Sequence, residues 1–173
     1  ATEAERDLET LVFEQGPNAG DGALALLGTP HRLSLAGAQD KIPVVRGSQG
    51  QLLLPNIGEP STHILKPDTP RLRHLCELEA LGLRLAKAIG LKAVDCALID
   101  VGGRAALLVQ RYDREPNAQG RIVRVHQEDF CQALGYPGEL KYESQGGPSL
   151  ADCAQLIRHR LRLGPRALQQ FLD

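Results

Sequence analysis

RHLCELEALGLRLAKAIG at residues 73–90, followed by ALIDVGGRAALLV at residues 97–109, is the stretch that decides the fold. In the earlier segment Leu75, Leu78, Leu81 and Leu85, with Ile89, recur at helical spacing, and Gly90 stands where a left-handed residue ends a helix. In the later segment a pair of apolar runs flanks Gly102-Gly103, residues able to take the positive φ angles of a tight hairpin turn. The spacing predicts a helix from Arg73 to Ile89 and an antiparallel hairpin directly after it. On that helix Glu79 shares a stripe with Leu75, Gly82, Leu83 and Ala86, so its carboxylate faces packed surface, where a charge needs a partner.

Working towards the N-terminus, Ile42, Val44 and Val45 and then Leu52, Leu53 and Leu54 surround the turn Gly47 to Gly50 and predict another hairpin. A third strand is expected at His63 to Lys66, between Ser61 and Pro67. Lys66 is then the natural partner for Glu79. Ala1 to Leu11 reads as a short acidic helix leading into a Gly/Pro/Asn-rich loop from Gly16 to Gly22. Working towards the C-terminus, a polar connection from Glu115 to Gly120 precedes a short strand at Ile122 to Val125 and a helix from about Gln127 to Leu134, stopped by Gly135. Ser149 with Asp152 makes a capping box for a helix reaching about Leu163, and Pro165 opens another. Strands come first and helices follow. The expectation is an α+β chain with an N-terminal helix and loop (1–30), a small antiparallel lobe with one packed helix (31–114) and the first helices of a second lobe (115–173), with the boundary near Tyr112 to Arg114.

Twenty Lys and Arg against twenty-one Asp and Glu give a net charge of −1 over 173 residues, so the overall balance advertises neither a nucleic-acid nor a membrane surface. Cys76, Cys96, Cys131 and Cys153 lie far apart among apolar residues, without metal-ligand spacing, and read as buried thiols of a reducing cytoplasm. No apolar run is long enough to span a bilayer, and no signal peptide is apparent. The chain begins at Ala1, contains no methionine and ends within an expected helix, which reads as a fragment.

Four constellations could carry chemistry. Ser34 to Lys41 is a small-residue loop entering a strand; Gly37 between Ala36 and Ala38 lets backbone N–H groups approach an anion, although the same pattern serves as an ordinary turn. A strand lysine held by a helix glutamate, Lys66 with Glu79, places an ammonium on nucleotide phosphates in kinases; the plainer alternative is two unrelated surface charges. Val109 to Arg114 leaves the sheet as extended backbone whose N–H and C=O groups suit an adenine edge, or else it is a strand end closed by an Asp/Arg salt bridge. Near His126, Glu128 and Asp129 are expected in a helix first turn, where the dipole favours carboxylates, and His126 is expected to be structural.

In order, SLAGAQDK (34–41), PSTHILKP (60–67), ELEALGLRLAKAIGL (77–91), VQRYDR (109–114), HQEDFCQALG (126–135) and KYESQGGPS (141–149) resemble the successive motifs of HipA-family serine/threonine kinases. The resemblance implies a protein-kinase-like N-lobe and the start of a helical C-lobe. It implies an ATP site using Ala36, Gly37, Ala38, Gln39, Lys41, Lys66, Glu79, Gln110, Arg111 and Tyr112, with ATP and Mg2+ as cofactors. Ser34 matches the serine that such kinases autophosphorylate, which ejects the loop and switches the kinase off. The partners implied are a HipB-like helix-turn-helix antitoxin and a protein substrate such as an aminoacyl-tRNA synthetase or translation factor. DNA would be met only through the antitoxin, and the outcome would be growth arrest and persistence.

The family's GNxDxHxKN motif, which carries the catalytic aspartate and a metal-binding asparagine, does not occur before Asp173, so the chain as given is not expected to transfer phosphate by itself. Rival readings are a non-catalytic fragment that binds nucleotide or antitoxin, and a small-molecule kinase sharing the lobe.

Overall fold

The computed structural model describes residues 41–68, 73–160 and 164–172. The chain divides into two compact units, one ending at Val125 and one beginning at His126.

The first unit is built on a five-stranded antiparallel sheet. Its strands are β1 (Ile42–Arg46), β2 (Leu52–Leu53), β3 (His63–Pro67), β4 (Cys96–Val101) and β5 (Arg104–Gln110), with α1 (Leu75–Ala88) between β3 and β4. The order across the sheet is β2-β1-β3-β5-β4. The β4–β5 hairpin closes with Val101 opposite Arg104, and its two turn residues, Gly102 and Gly103, have φ of 58° and 83°. Positive φ at both positions matches the twist of the flanking strands, as the sequence predicts.

Strand alternation divides the core between the two faces of the sheet. Leu65 and Leu108 stand opposite each other and bury with Ile42, Val44, Val101 and Ala106. Leu107 and Val109 point the other way and bury against Cys76 and Ala80 of α1. The helical period is therefore right, but the leucine stripe faces outward: Leu78, Leu81, Leu85 and Ile89 are exposed. A helix lying close over Leu107 and Val109 meets the sheet through small side chains, a cysteine and an alanine, which the longer leucines would hold apart.

The helix begins two residues later than the spacing predicts. Asp68 supplies its cap from outside: the His74 N–H donates to Oδ2 at 2.9 Å and the Cys76 N–H to Oδ1 at 3.1 Å. His74 itself takes φ 62°, a left-handed conformation uncommon for a residue with a side chain.

A second hairpin, β6 (Arg114–Pro116) with β7 (Ile122–Arg124), falls within the first unit. The division between units thus lies after Val125 rather than near Tyr112 to Arg114, because the Val125 N–H donates back to the Asp113 carbonyl at 3.0 Å and fastens the end of β7 to the strand exit.

In the second unit α2 (Phe130–Leu134) is shorter than expected. Asp129 is its N-cap, not a first-turn residue, and Asp129 and Gln132 form a reciprocal capping box. Glu128 lies before the helix and contacts the exposed His126 at 3.3 Å. The Ser149/Asp152 box starts α3 (Leu150–Gln155) as expected, and the helix then widens into a π turn over Leu156–Arg160. Pro165 opens α4 (Pro165–Leu172). Phe130 and Phe171 meet with ring centroids 5.2 Å apart, an aromatic contact between α2 and α4.

Gly147 is packed tightly: a Cβ there would lie 2.3 Å from the Leu140 carbonyl oxygen and 3.0 Å from that of Tyr142. Both neighbours are backbone and cannot swing away. Gly147→Ala is expected to destabilise the protein by about 2 kcal/mol, read as a lower urea midpoint.

All four cysteines are free thiols; Cys76, Cys131 and Cys153 are buried and Cys96 is half-buried. Among the described residues no helix is long and apolar enough to cross a membrane.

Candidate functional site

Leu65 is turned into one core, so its neighbour Lys66 must face the side of the sheet that carries α1. Across the ladder Lys66 stands opposite Leu107. From the helix, Glu79 reaches the Lys66 ammonium and forms an ion pair with it, the two side chains being 17% and 30% exposed. The pair is half-buried: sheltered enough to hold its geometry, open enough to receive an anion.

Two further contacts keep strand and helix in register at this pair. The Cys76 thiol donates to the Lys66 carbonyl at 3.1 Å, and Asp68, two residues beyond Lys66, caps the same helix. Burial pushes the Cys76 thiol up to about 12, and the hydrogen bond and charge of Asp68 add to the effect, so Cys76 stays a protonated donor. Burial alone would raise the Asp68 carboxyl, but the hydrogen bonds from Cys76 and His74 outweigh it and hold it below its usual range.

The exit of β5 lies along the same sheet. Gln110 stands opposite His63, three residues before Lys66 along β3. At about 3.3 Å per residue that is roughly 10 Å along the strand. Ile64 pairs with Val109 across the ladder on the same face as Lys66; Ile64 is half-buried, and Val109 is covered by α1. The Gln110 N–H is already bonded to the Asp95 carbonyl at 2.8 Å, and the Arg111 N–H to the Thr62 carbonyl at 3.0 Å. Tyr112 is 74% exposed.

Beyond Tyr112 the chain is clamped. Asp113 accepts from Arg111 Nε at 2.9 Å and Nη2 at 2.7 Å, and its other neighbour Arg114 lies 2.8 Å away. Arg114 also donates from Nε to the Ser61 carbonyl at 2.7 Å. The Asp/Arg closure considered from the sequence is therefore present, and it extends far upstream to Ser61, which no local pattern marks.

The Arg111 hydrogen bonds hold the Asp113 carboxyl at about 2, well below its ordinary 3.8, against the opposing effect of burial. A depressed carboxyl contributes stability that is complete above the unfolded value, about pH 4, and is lost as pH falls through about 2. Acid unfolding between about pH 4 and 2 should therefore cost about 2 kcal/mol through this group, and Asp113→Asn should flatten that limb of the stability profile. Equal acid limbs for both proteins would contradict the assignment.

Of the residues singled out from the sequence, Lys66 and Glu79 come together, and Gln110, Arg111 and Tyr112 line the strand exit. Lys41 is half-buried directly before β1. Ser34, Ala36, Gly37, Ala38 and Gln39 lie outside the described residues. Among the described residues no three His, Cys, Asp or Glu side chains gather in a way that could hold a metal ion. Sequence reasoning missed Asp68 and Cys76, whose roles depend on contacts between β3 and the start of α1.

The sequence profile of the HipA-like C-terminal domain matches residues 33–173. The chain is 52% identical over 127 residues to a Sinorhizobium fredii protein named "Putative kinase Y4mE", a match covering 73% of this chain and 30% of that protein. It is 36% identical over 118 residues to the serine/threonine-protein kinase toxin HipA of Shewanella oneidensis, covering 67% of this chain and 26% of that one. It therefore spans less than a third of either relative. Among solved structures it resembles a chain of the Shewanella oneidensis complex of HipA, HipB and operator DNA, with a TM-score of 0.69 and 27% identity, over 99% of this chain and 41% of that chain.

Proposed function

The chain belongs to the HipA-like C-terminal domain family, and on that footing we propose that it forms the nucleotide-binding portion of an ATP-dependent serine/threonine protein kinase of the toxin type. The observation that carries this reading is the half-buried ion pair between Lys66 on β3 and Glu79 on α1.

In this reading the first unit is a kinase-like N-lobe. The Lys66 ammonium meets the nucleotide phosphates and offsets negative charge that persists into the transition state of phosphoryl transfer. Glu79 fixes the direction in which the ammonium points, and the Cys76 and Asp68 contacts keep α1 from carrying Glu79 away. The adenine edge lies along Gln110 to Tyr112, with the half-buried Ile64 beneath the nucleoside. Magnesium, bound together with the nucleotide, supplies charge neutralisation; Lys66 and the strand exit hold the phosphates and the base.

In this reading the Ser34 to Lys41 segment acts on the phosphates, and phosphorylation of Ser34 turns the site off: a dianion there repels a triphosphate. The partner is a HipB-like helix-turn-helix antitoxin, in line with the complex in which the similar Shewanella oneidensis HipA was solved, and the substrate is a protein of the translation apparatus.

The test is to incubate the complete protein with Mg-ATP and locate phosphate by mass spectrometry. Phosphate on Ser34, together with at least tenfold weaker ATP binding by Ser34→Asp, is the expected result. A complete protein that neither binds ATP nor acquires phosphate would end the kinase reading.

A further inference from the structure

The helical period along α1 leaves one broad side without a charge. Leu78, Leu81, Gly82, Leu85, Ala88 and Ile89 share it, and all six are exposed, the leucines and Ile89 at 60% to 67%. A Cβ at Gly82 would meet nothing within 4 Å, so the middle of this face is open to the close approach of another backbone. Contiguous exposed apolar surface of this kind marks a docking face.

Size and charge narrow the choice of occupant. A helix of this length offers a strip about 21 Å long and roughly 10 Å wide. That is well short of the roughly 800 Å² that each side of a stable complex buries. A segment tethered to the same chain needs far less area, because its effective concentration is in the millimolar range. The acids of α1 are engaged, Glu77 with His74 at 3.6 Å and Glu79 with Lys66. Arg84 at the border of the face and Lys92 just past its end form no ion pair among the described residues, so the face is framed by positive charge.

We propose that the acidic segment Ala1 to Glu14, which lies outside the described residues, docks on this face of α1 as its intramolecular partner. Its sequence has the matching chemistry: Ala4, Leu8, Leu11 and Val12 recur at helical spacing, and Glu3, Glu5, Asp7, Glu9 and Glu14 outnumber Arg6. The apolar side chains meet the leucine strip, and the carboxylates meet Arg84 and Lys92. β1 begins at Ile42 in the same unit as α1. A flexible chain as long as residues 15–40 spans roughly 28 Å, enough to return the segment to α1. Docked there, the segment backs the helix that carries Glu79 and helps to keep that carboxylate on Lys66.

The experiment puts the photocrosslinking residue benzoylphenylalanine in place of Leu81 in the complete protein and maps the product by mass spectrometry. A crosslink within one chain to a peptide from residues 1–14, lost in the Leu8→Asp/Leu11→Asp variant, is the expected result. A crosslink to a second copy, a crosslink to any other segment of the chain, or none at all overturns the proposal. Urea unfolding supplies an independent measure: Leu81→Gln should lower the midpoint of the wild type and leave that of the Leu8→Asp/Leu11→Asp variant unchanged. Equal shifts in the two backgrounds would mean that this segment does not cover the face. Neither measurement involves nucleotide, so a negative outcome leaves the kinase reading standing.

Discussion

Lys66→Ala is expected to weaken ATP binding to the complete protein by about 3 kcal/mol, roughly a hundredfold, while leaving the fold in place. The loss has two sources that add. On the proposed reading, the ammonium that would meet the phosphates is gone, and Glu79, which it held, presents an uncompensated carboxylate to the same triphosphate. The cost to stability is much smaller: both side chains are partly exposed, so water screens the pair, and its contribution to folding is under about 1 kcal/mol. The two effects can be separated by measuring ATP affinity calorimetrically alongside urea unfolding. Glu79→Gln should weaken ATP less than Lys66→Ala does, since it loosens the ammonium without removing it. Wild-type affinity in Lys66→Ala would remove the basis of the proposed function.

Leu107→Ala is expected to produce the largest loss of stability, about 3 kcal/mol. Leu107 is fully buried and packs with Val109 against Cys76 and Ala80 of α1. Those two small side chains cannot move to fill the space a leucine leaves, so the cavity term stays near its full value. Leu107 is also the ladder partner of Lys66. Its truncation should therefore loosen α1 over the ion pair, and ATP affinity should fall along with the urea midpoint, followed by far-ultraviolet circular dichroism. A midpoint shift below about 1 kcal/mol would mean that α1 is held mainly by its cap and not by the sheet.

Those two residues also mark the limit of what local sequence encodes. The pairing of Lys66 with Glu79 is legible because a strand alternates and a helix repeats: once Glu79 is assigned to a packed stripe, a cation on the preceding strand is its nearest candidate. Which face of α1 meets the sheet is not legible. Leucines at helical spacing suggest a buried stripe, yet Cys76 and Ala80 make the contact and Leu78, Leu81 and Leu85 face out. Hydropathy ranks those side chains by transfer energy and carries no information on how closely two backbones approach. The Arg111–Asp113–Arg114 clamp is half legible: the alternation of charges along 111–114 suggests a closure, but not that Ser61 receives it.

The amino-acid order by itself determined the local elements: the Gly102-Gly103 hairpin, the capping box at Ser149 and the helical period of 75–88. Each depends on residues within a few positions of one another, where backbone geometry and side-chain reach leave few choices. Only the tertiary structure decided that β3 lies between β1 and β5, that Asp68 caps α1, and that Asp113 is buried beneath an exposed Tyr112. These arrangements join segments separated by turns and by a whole helix, and their free energy comes from excluding water between surfaces that local sequence does not bring together.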